Sequence, residues 1–352
     1  PVRWVGLSVL LMTDIASHYE QGWKHGPPVS TGARQPDYHI VTPAMHLSKE
    51  DIAKLFNEKF GTPIDATPEQ LTQKARELLR DKYLKADIGI TGGNFLIADS
   101  GSIALTENEG NARLTTTFPK IHIAIVGIEK LVPSIADLDL FWPLLSSHGT
   151  GQNLTVYNTI LSGPRQAHET DGPEEMYVIL LDNGRTNLLA QKDQRQALYC
   201  IRCGACMNTC PIYRRSGGHS YHTAVAGPIG SILNPNIDMR ANADLPFAST
   251  LCGSCSNVCP VKIDIHDQLW KWRQVLVAEG YVDTTKKIGL KGMAFVLARP
   301  GLYRFAGKAG RAMMRIFPWL LNNKLNPWYK QREMPAPPKE SFRDWYIKNK
   351  QQ

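Results

Sequence analysis

The chain has 352 residues, 43% of them apolar, with 40 Lys and Arg against 32 Asp and Glu and a net charge of +8. That length and apolar content exclude a wholly disordered chain and provide for two or three domains with cores of their own. The seven cysteines are far too sparse for a disulfide scaffold. The excess charge is local. Between Lys286 and Lys330 lie ten Lys or Arg and no Asp or Glu, and subtracting those ten from +8 leaves the remainder of the chain at −2.

Residues 1–36 stay unassigned, because Gly26, Pro27, Pro28 and Gly32 interrupt any periodicity. The apolar run Val5–Met12 is much shorter than the roughly 20 residues of a membrane span. No small-residue cleavage site follows it closely, so a cytoplasmic protein is expected.

Residues 37–190 read as an α/β domain. Ser48 and Asp51 stand at capping-box spacing before Ile52, Leu55 and Phe56. Thr67, Pro68 and Gln70 start a second helix, with Leu71, Ala75, Leu78 and Leu79 as its stripe. Strands are expected at Ile88–Ile90, Ile103–Leu105, Ile121–Val126, Leu154–Tyr157 and Tyr177–Leu181. The nearly unbroken apolar run 121–126 predicts a strand covered on both faces. Gly- and Asn-rich turns occur at 91–102 and 107–111. Their amides can cradle an anion, but neither matches a P-loop or G-x-G-x-x-G, so structural turns are expected.

Residues 191–270 hold every cysteine. Cys200, Cys203, Cys206 and Cys210 form C-x2-C-x2-C-x3-C before Pro211; Cys252, Cys255 and Cys259 form C-x2-C-x3-C before Pro260. The first spacing is that of bacterial ferredoxins, in which the cysteine before proline serves the other cluster. Zinc sites favour two separated C-x2-C pairs. Crossed ligation would give cluster 1 Cys200, Cys203, Cys206 and Cys259, and cluster 2 Cys210, Cys252 and Cys255. Cluster 2 is then one thiolate short, and Ser249 stands where a full motif has its first cysteine. A [4Fe–4S] cluster with a non-cysteine fourth ligand is favoured over [3Fe–4S]. That ligand is Ser249, another side chain, water or a partner. The 41 residues between Cys210 and Cys252, with helical periodicity over 267–280, point to an α-helical ferredoxin domain. Arg202, Arg214 and Arg215 beside the cysteines either raise a cluster's potential or are a solvated surface.

Residues 271–352 form a basic tail, cut by Pro318, Pro327 and Pro335–Pro338 into short helices and an extended end. Met293, Phe295, Leu302, Phe305, Met313 and Trp319 interleave with the cations of 286–330. That mix suits contact with an acidic partner or, peripherally, an anionic membrane, or a tail packed on its own protein with its charges solvated. No nucleic-acid-binding module is present.

The stretch from Ala98 to Ile103, with Glu107 to Asn111, resembles the signature of the LUD (lactate-utilisation) domain. With the two cysteine motifs and Ser341–Trp345, the chain resembles the LutB-type iron–sulfur subunits of three-component L-lactate oxidation systems. The resemblance covers residues 37–350. Residues 1–36 lie outside it, so an N-terminally truncated LUD domain is expected. It implies a fold related to ribose-5-phosphate isomerase and CoA transferases for 37–190. It also implies two partners, a cysteine-rich redox subunit and a second LUD-domain protein, acting together to turn L-lactate into pyruvate. No flavin or nicotinamide motif is visible, so this chain is expected to carry electrons singly while substrate chemistry lies elsewhere or at an interface. The alternative is an electron-transfer module of a different dehydrogenase or quinone-linked complex. Among possible bases, His148 lies in an expected loop. His122 fits a core histidine, and His219 and His222 fit the surface or the neighbourhood of a cluster. Arg113 and Lys120 can hold a carboxylate, though a solvated face is their default.

Overall fold

The structure, a computed structural model, describes residues 46–320 and 335–350, together with 4–6, 39, 42 and 323. The chain divides into two units, residues 1–281 and 282–352.

Helix α1 (Lys49–Phe60) starts with the expected capping box. The Asp51 amide donates to Ser48 Oγ at 3.1 Å, and the Ser48 amide donates to Asp51 Oδ2 at 3.0 Å. Helix α2 (Pro68–Leu84) repeats the device with Thr67 and Gln70. Ile52, Ala53 and Phe56 pack with Leu71 and Ala75 into one small core.

The strands are β1 (Trp4–Gly6), β2 (Ile88–Thr91), β3 (Phe95–Ile97), β4 (Ser102–Glu107), β5 (Ile121–Gly127), β6 (Leu131–Val132), β7 (Tyr157–Leu161) and β8 (Glu175–Leu181). One sheet is parallel throughout, in the order β1-β2-β5-β8. The second is mixed, in the order β6-β3-β4-β7. Helix α3 (Asn111–Thr117) lies between β4 and β5, and α4 (Leu138–Gly149) between β6 and β7.

Two strand expectations change. On β5, His122, Ala124 and Val126 are buried but Ile125 is 40% exposed, so the strand is not covered on both faces. Its neighbour β8 is an edge strand whose Tyr177 to Leu181 are all exposed. The strand expected at 154–157 lies at 157–161 instead. Thr155 and Val156 are held by side chains rather than by a ladder: the Val156 amide donates to Asn108 Oδ1 at 3.1 Å, and Thr155 Oγ1 donates to Asn158 Oδ1 at 2.9 Å. Pairing with β4 begins only at Tyr157, opposite Glu107.

His122 is fully buried, with Nε2 2.8 Å from Thr91 Oγ1 and Nδ1 unpartnered among the described residues. Burial lowers its pKa from 6.5 to about 4. Between those values the unfolded chain binds the extra proton, so stability is retained above about pH 6.5 and lost as pH falls toward 4. Urea unfolding should show a loss of about 2 kcal/mol between pH 7 and pH 5 from this group. His122→Gln should remove that share of the pH dependence; an unchanged slope in the variant would rule it out.

The remainder of the first unit is helical: α5 (Arg185–Ala190), α6 (Ala205–Thr209), α7 (Pro211–Ser216), α8 (Gly227–Ile237), α9 (Ser254–Val258) and α10 (Ile265–Ala278). Met207, Ile229, Ile232, Leu269 and Trp272 form its core, together with Cys206, Cys255 and Cys259. A second core joins the two halves of the unit, packing Phe95, Ile97, Val132 and Leu138 with Ile201, Cys203 and Ala205. Helix α10 runs through residues 270 and 271, because Leu269, Trp272 and Leu276 are buried on one side of it.

The second unit holds α11 (Thr284–Leu297), α12 (Pro300–Ile316) and α13 (Phe342–Asn349), the last capped by Ser341 Oγ, which accepts from the Asp344 amide at 3.1 Å. No residue of α12 is buried. Its apolar positions 302, 305, 309, 313 and 316 and its cations 304, 308, 311 and 315 follow separate helical stripes. Pro327 and most of the run Val5–Met12 lie outside the described residues. Among the described residues, no helix is long and apolar enough to cross a membrane.

Candidate iron–sulfur centre

Each cysteine motif is a tight loop leading into a one-turn helix. Gly204 (φ 77°) opens α6 and Gly253 (φ 78°) opens α9, both in the left-handed region that glycine enters without steric cost. One residue before the cysteine that precedes each glycine, Arg202 (φ 66°) and Leu251 (φ 55°) are left-handed as well. Each short helix ends at a cysteine followed by proline: Cys210 after α6 and Cys259 after α9. The two helices pack together, with Thr209 Oγ1 and Ser254 Oγ hydrogen-bonded across the pair.

Cys200, Cys203, Cys206 and Cys259 line one small cavity together with the apolar side chains of Ile229 and Ile263. The structure therefore brings a cysteine of the second motif to three of the first. Cys203, Cys206 and Cys259 are buried and Cys200 is half-buried. Burial pushes the Cys203 thiol up to about 11 and raises those of Cys206 and Cys259. Neutral thiols are what an apolar pocket favours; metal ligation requires thiolates, so loading this pocket releases protons. The Ile229 backbone hydrogen-bonds to the Cys206 thiol, and the Ile263 amide donates to Cys259 Sγ at 3.4 Å.

Around the second set, the thiols whose charge acts on Cys255 include Cys210 and Cys252. Cys255 is buried and its pKa is pushed up to about 11 by burial. Cys252 is exposed, and hydrogen bonds from the Ser254 backbone and the Thr250 side chain lower its pKa. Among the described residues, no three His, Cys, Asp or Glu side chains converge as ligands of a single ion would. Four thiols spread over the walls of one apolar cavity fit the corners of a cluster.

Two cations at the loops carry no motif and escape sequence reading. Lys130 Nζ donates to the Cys200 carbonyl at 2.9 Å, and burial lowers its pKa to about 8. Arg273 on α10 donates through Nη2 to the Ser249 carbonyl at 2.8 Å and through Nε to that of Pro246 at 2.9 Å. Only the fold brings them to the cysteines. A cavity of about 290 Å³ adjoins Cys200 on the side of the sheets, lined by Phe95, Glu129, Lys130, Phe141 and Tyr199 among others. Glu129 there is paired with Arg185.

None of the other candidates lines this cavity. His148 lies in the last turn of α4, not in a loop, with Nδ1 3.0 Å from the Leu144 carbonyl. His222 is exposed, and His219 stacks edge-on with His46. Arg214, Arg215, Arg113 and Lys120 are exposed, and Arg113 lies over the Tyr157 ring. The turn side chains serve local structure. Asn94 Oδ1 accepts from the Thr106 amide, and Glu107 caps α3 by accepting from the amides of Ala112 and Arg113.

Comparison with known proteins gives three family matches: the LUD domain over residues 25–181, the 4Fe-4S dicluster domain over 196–263, and the C-terminal domain of lactate utilisation protein B over 273–351. The chain is 43% identical over 325 residues to Lactate utilization protein B of Bacillus pumilus, spanning 90% of this chain and 68% of that protein. With the Macrococcus caseolyticus protein of the same name it shares 42% identity over 354 residues, 97% of this chain and 71% of that one. The chain belongs to the lactate utilization protein B family. The LUD match starts at residue 25, so the family likeness reaches into the segment that the sequence motifs leave outside it. A solved DUF162 family protein from Deinococcus radiodurans is 20% identical over 38% of this chain and 84% of that one, with a TM-score of 0.23. For this family member, the dicluster match and the clustered cysteines identify residues 196–263 as an iron–sulfur domain, following a LUD domain with α/β sheets and preceding a helical C-terminus.

Proposed function

We propose that this chain is the iron–sulfur electron-transfer component of a multi-component L-lactate oxidation system that yields pyruvate. The observation that carries the reading is the set of four cysteines from two motifs around one apolar cavity, in a chain of this family. Cluster 1 is held by Cys200, Cys203, Cys206 and Cys259, and cluster 2 by Cys210, Cys252 and Cys255, both of [4Fe–4S] type. Bound there, such clusters accept and release electrons one at a time. The chain's part is to shield and position. Ile229 and Ile263 give the first site an apolar wall, while the exposed Cys252 leaves the second within reach of a partner.

The domain limits follow: a LUD domain to about residue 190, a ferredoxin domain over 191–270 and a basic helical segment over 271–352. The parallel order of the first sheet supports a LUD fold of the isomerase and CoA-transferase kind. The partners are a cysteine-rich redox subunit and a second LUD-domain protein, one of them presenting acidic groups to residues 286–330. The separate cationic and apolar stripes of α12 support that contact.

The test is anaerobic co-purification followed by addition of L-lactate. Visible bleaching of the clusters by lactate, in the assembled complex only, is expected. Bleaching by another 2-hydroxy acid but not by lactate would overturn the substrate assignment. In the same purification, removal of residues 286–330 should release the partners whether or not lipid is present; a dependence on anionic lipid would point to a bilayer instead.

A further inference from the structure

The two cysteine loops are copies of one another at a spacing of 49 residues. Cys203, Cys206 and Cys210 correspond to Cys252, Cys255 and Cys259, and Pro211 to Pro260. The backbone repeats with them. Left-handed Arg202 matches Leu251, and Gly204 (φ 77°, ψ −5°) matches Gly253 (φ 78°, ψ −7°). Cys210 (φ −72°, ψ 121°) matches Cys259 (φ −63°, ψ 118°). The same spacing carries Cys200 onto Ser249.

Ser249 reproduces the local relations of Cys200 one by one. The amide two residues on, that of Arg202, donates to Cys200 Sγ at 3.4 Å; that of Leu251 donates to Ser249 Oγ at 3.1 Å. The carbonyl of Cys200 accepts from a half-buried cation, Lys130, at 2.9 Å; that of Ser249 accepts from half-buried Arg273 at 2.8 Å. Sequence count alone places a serine opposite a cysteine. The structure adds that its Oγ receives the same hydrogen bond as the Sγ it replaces, and that its carbonyl is held from an independent helix.

We infer that Ser249 Oγ is the fourth protein ligand of cluster 2. The inference rests on the two-cluster reading above. On binding, the Oγ–H bond breaks, a bond from Oγ to the fourth iron forms, and the proton leaves to solvent; the iron changes no oxidation state. Arg273 is a positioning residue, fixing the segment from Pro246 to Ser249 through their carbonyls.

The test uses the full chain, reconstituted anaerobically with iron and sulfide, as wild type, Ser249→Ala and Ser249→Cys. In Ser249→Ala, cluster 2 should lose one of its four irons on brief air exposure and give the EPR signal of an oxidised [3Fe–4S] cluster, while cluster 1 is unchanged. Ser249→Cys should keep all its iron and resist air at least as well as wild type. The wild type, reduced in water enriched in oxygen-17, should show no broadening of the cluster 2 signal. An alanine variant with wild-type iron content and air sensitivity, or broadening in the wild type, would overturn serine ligation while leaving the cysteine assignment intact. Absence of iron–sulfur absorption in wild type and both variants would instead remove the two-cluster reading on which the inference stands.

Discussion

Cys259→Ala is expected to abolish cluster 1 and spare cluster 2, although Cys259 belongs to the second cysteine motif. The residue is 6% exposed and lines the cavity with Cys200, Cys203 and Cys206. Its sulfur is fixed by the Ile263 amide. Cys210→Ala is the complementary case: Cys210 ends the first short helix as Cys259 ends the second, so under the crossed assignment its loss should remove cluster 2. Each variant should retain about half of the iron, and the surviving EPR signals of the two should differ. The first should also unfold more readily, because the site exists only in the folded chain, so cluster binding contributes directly to folding free energy. If Cys259→Ala and Cys252→Ala erase the same signal, ligation follows the motifs and the crossed assignment is wrong.

The parts of this centre that the sequence displayed are those set by short spacing. C-x2-C-x2-C-x3-C-P fixes a loop, a turn of helix and a proline within a dozen residues, and the structure has each of them. The capping boxes at Ser48 and Thr67 were legible for the same reason: donor and acceptor are three residues apart. Lys130 and Arg273 were not legible. Lys130 is 70 residues from the carbonyl it caps and Arg273 is 24 from Ser249, and nothing in their own neighbourhoods distinguishes them from solvated cations. The misplaced strand near 154 has a different cause. Apolar Leu154 and Val156 suggest a ladder by alternation, but Asn108 and Asn158 take the hydrogen bonds first. Ser-Ser-His-Gly-Thr-Gly reads as a loop around His148, whereas Ser146 and Ser147 both donate back to carbonyls of the preceding turn and the helix continues to Gly149.

Gly230→Ala should be strongly damaging to the iron–sulfur domain. A Cβ at residue 230 would lie 1.8 Å from the Val225 carbonyl oxygen and 2.6 Å from its carbon. That carbonyl cannot simply rotate away, because it accepts from Thr223 Oγ1 at 3.0 Å and from Asn234 Nδ2 at 2.9 Å. The start of α8 must therefore move. Ile229 moves with it, and Ile229 both lines the cavity and hydrogen-bonds through its backbone to the Cys206 thiol. Overpacking of a close-packed site usually costs 1–3 kcal/mol; a clash with fixed backbone should cost about 3 kcal/mol or more. The urea midpoint should fall accordingly, and cluster absorbance in air should decay several-fold faster than in wild type. Gly289→Ala on α11, where a Cβ meets nothing within 4 Å, is the control. It should be neutral or stabilise by up to about 1 kcal/mol through helix propensity. A Gly230→Ala protein that loads its clusters and unfolds like wild type would mean that the approach of Val225 to α8 does not hold the Cys206 loop in place.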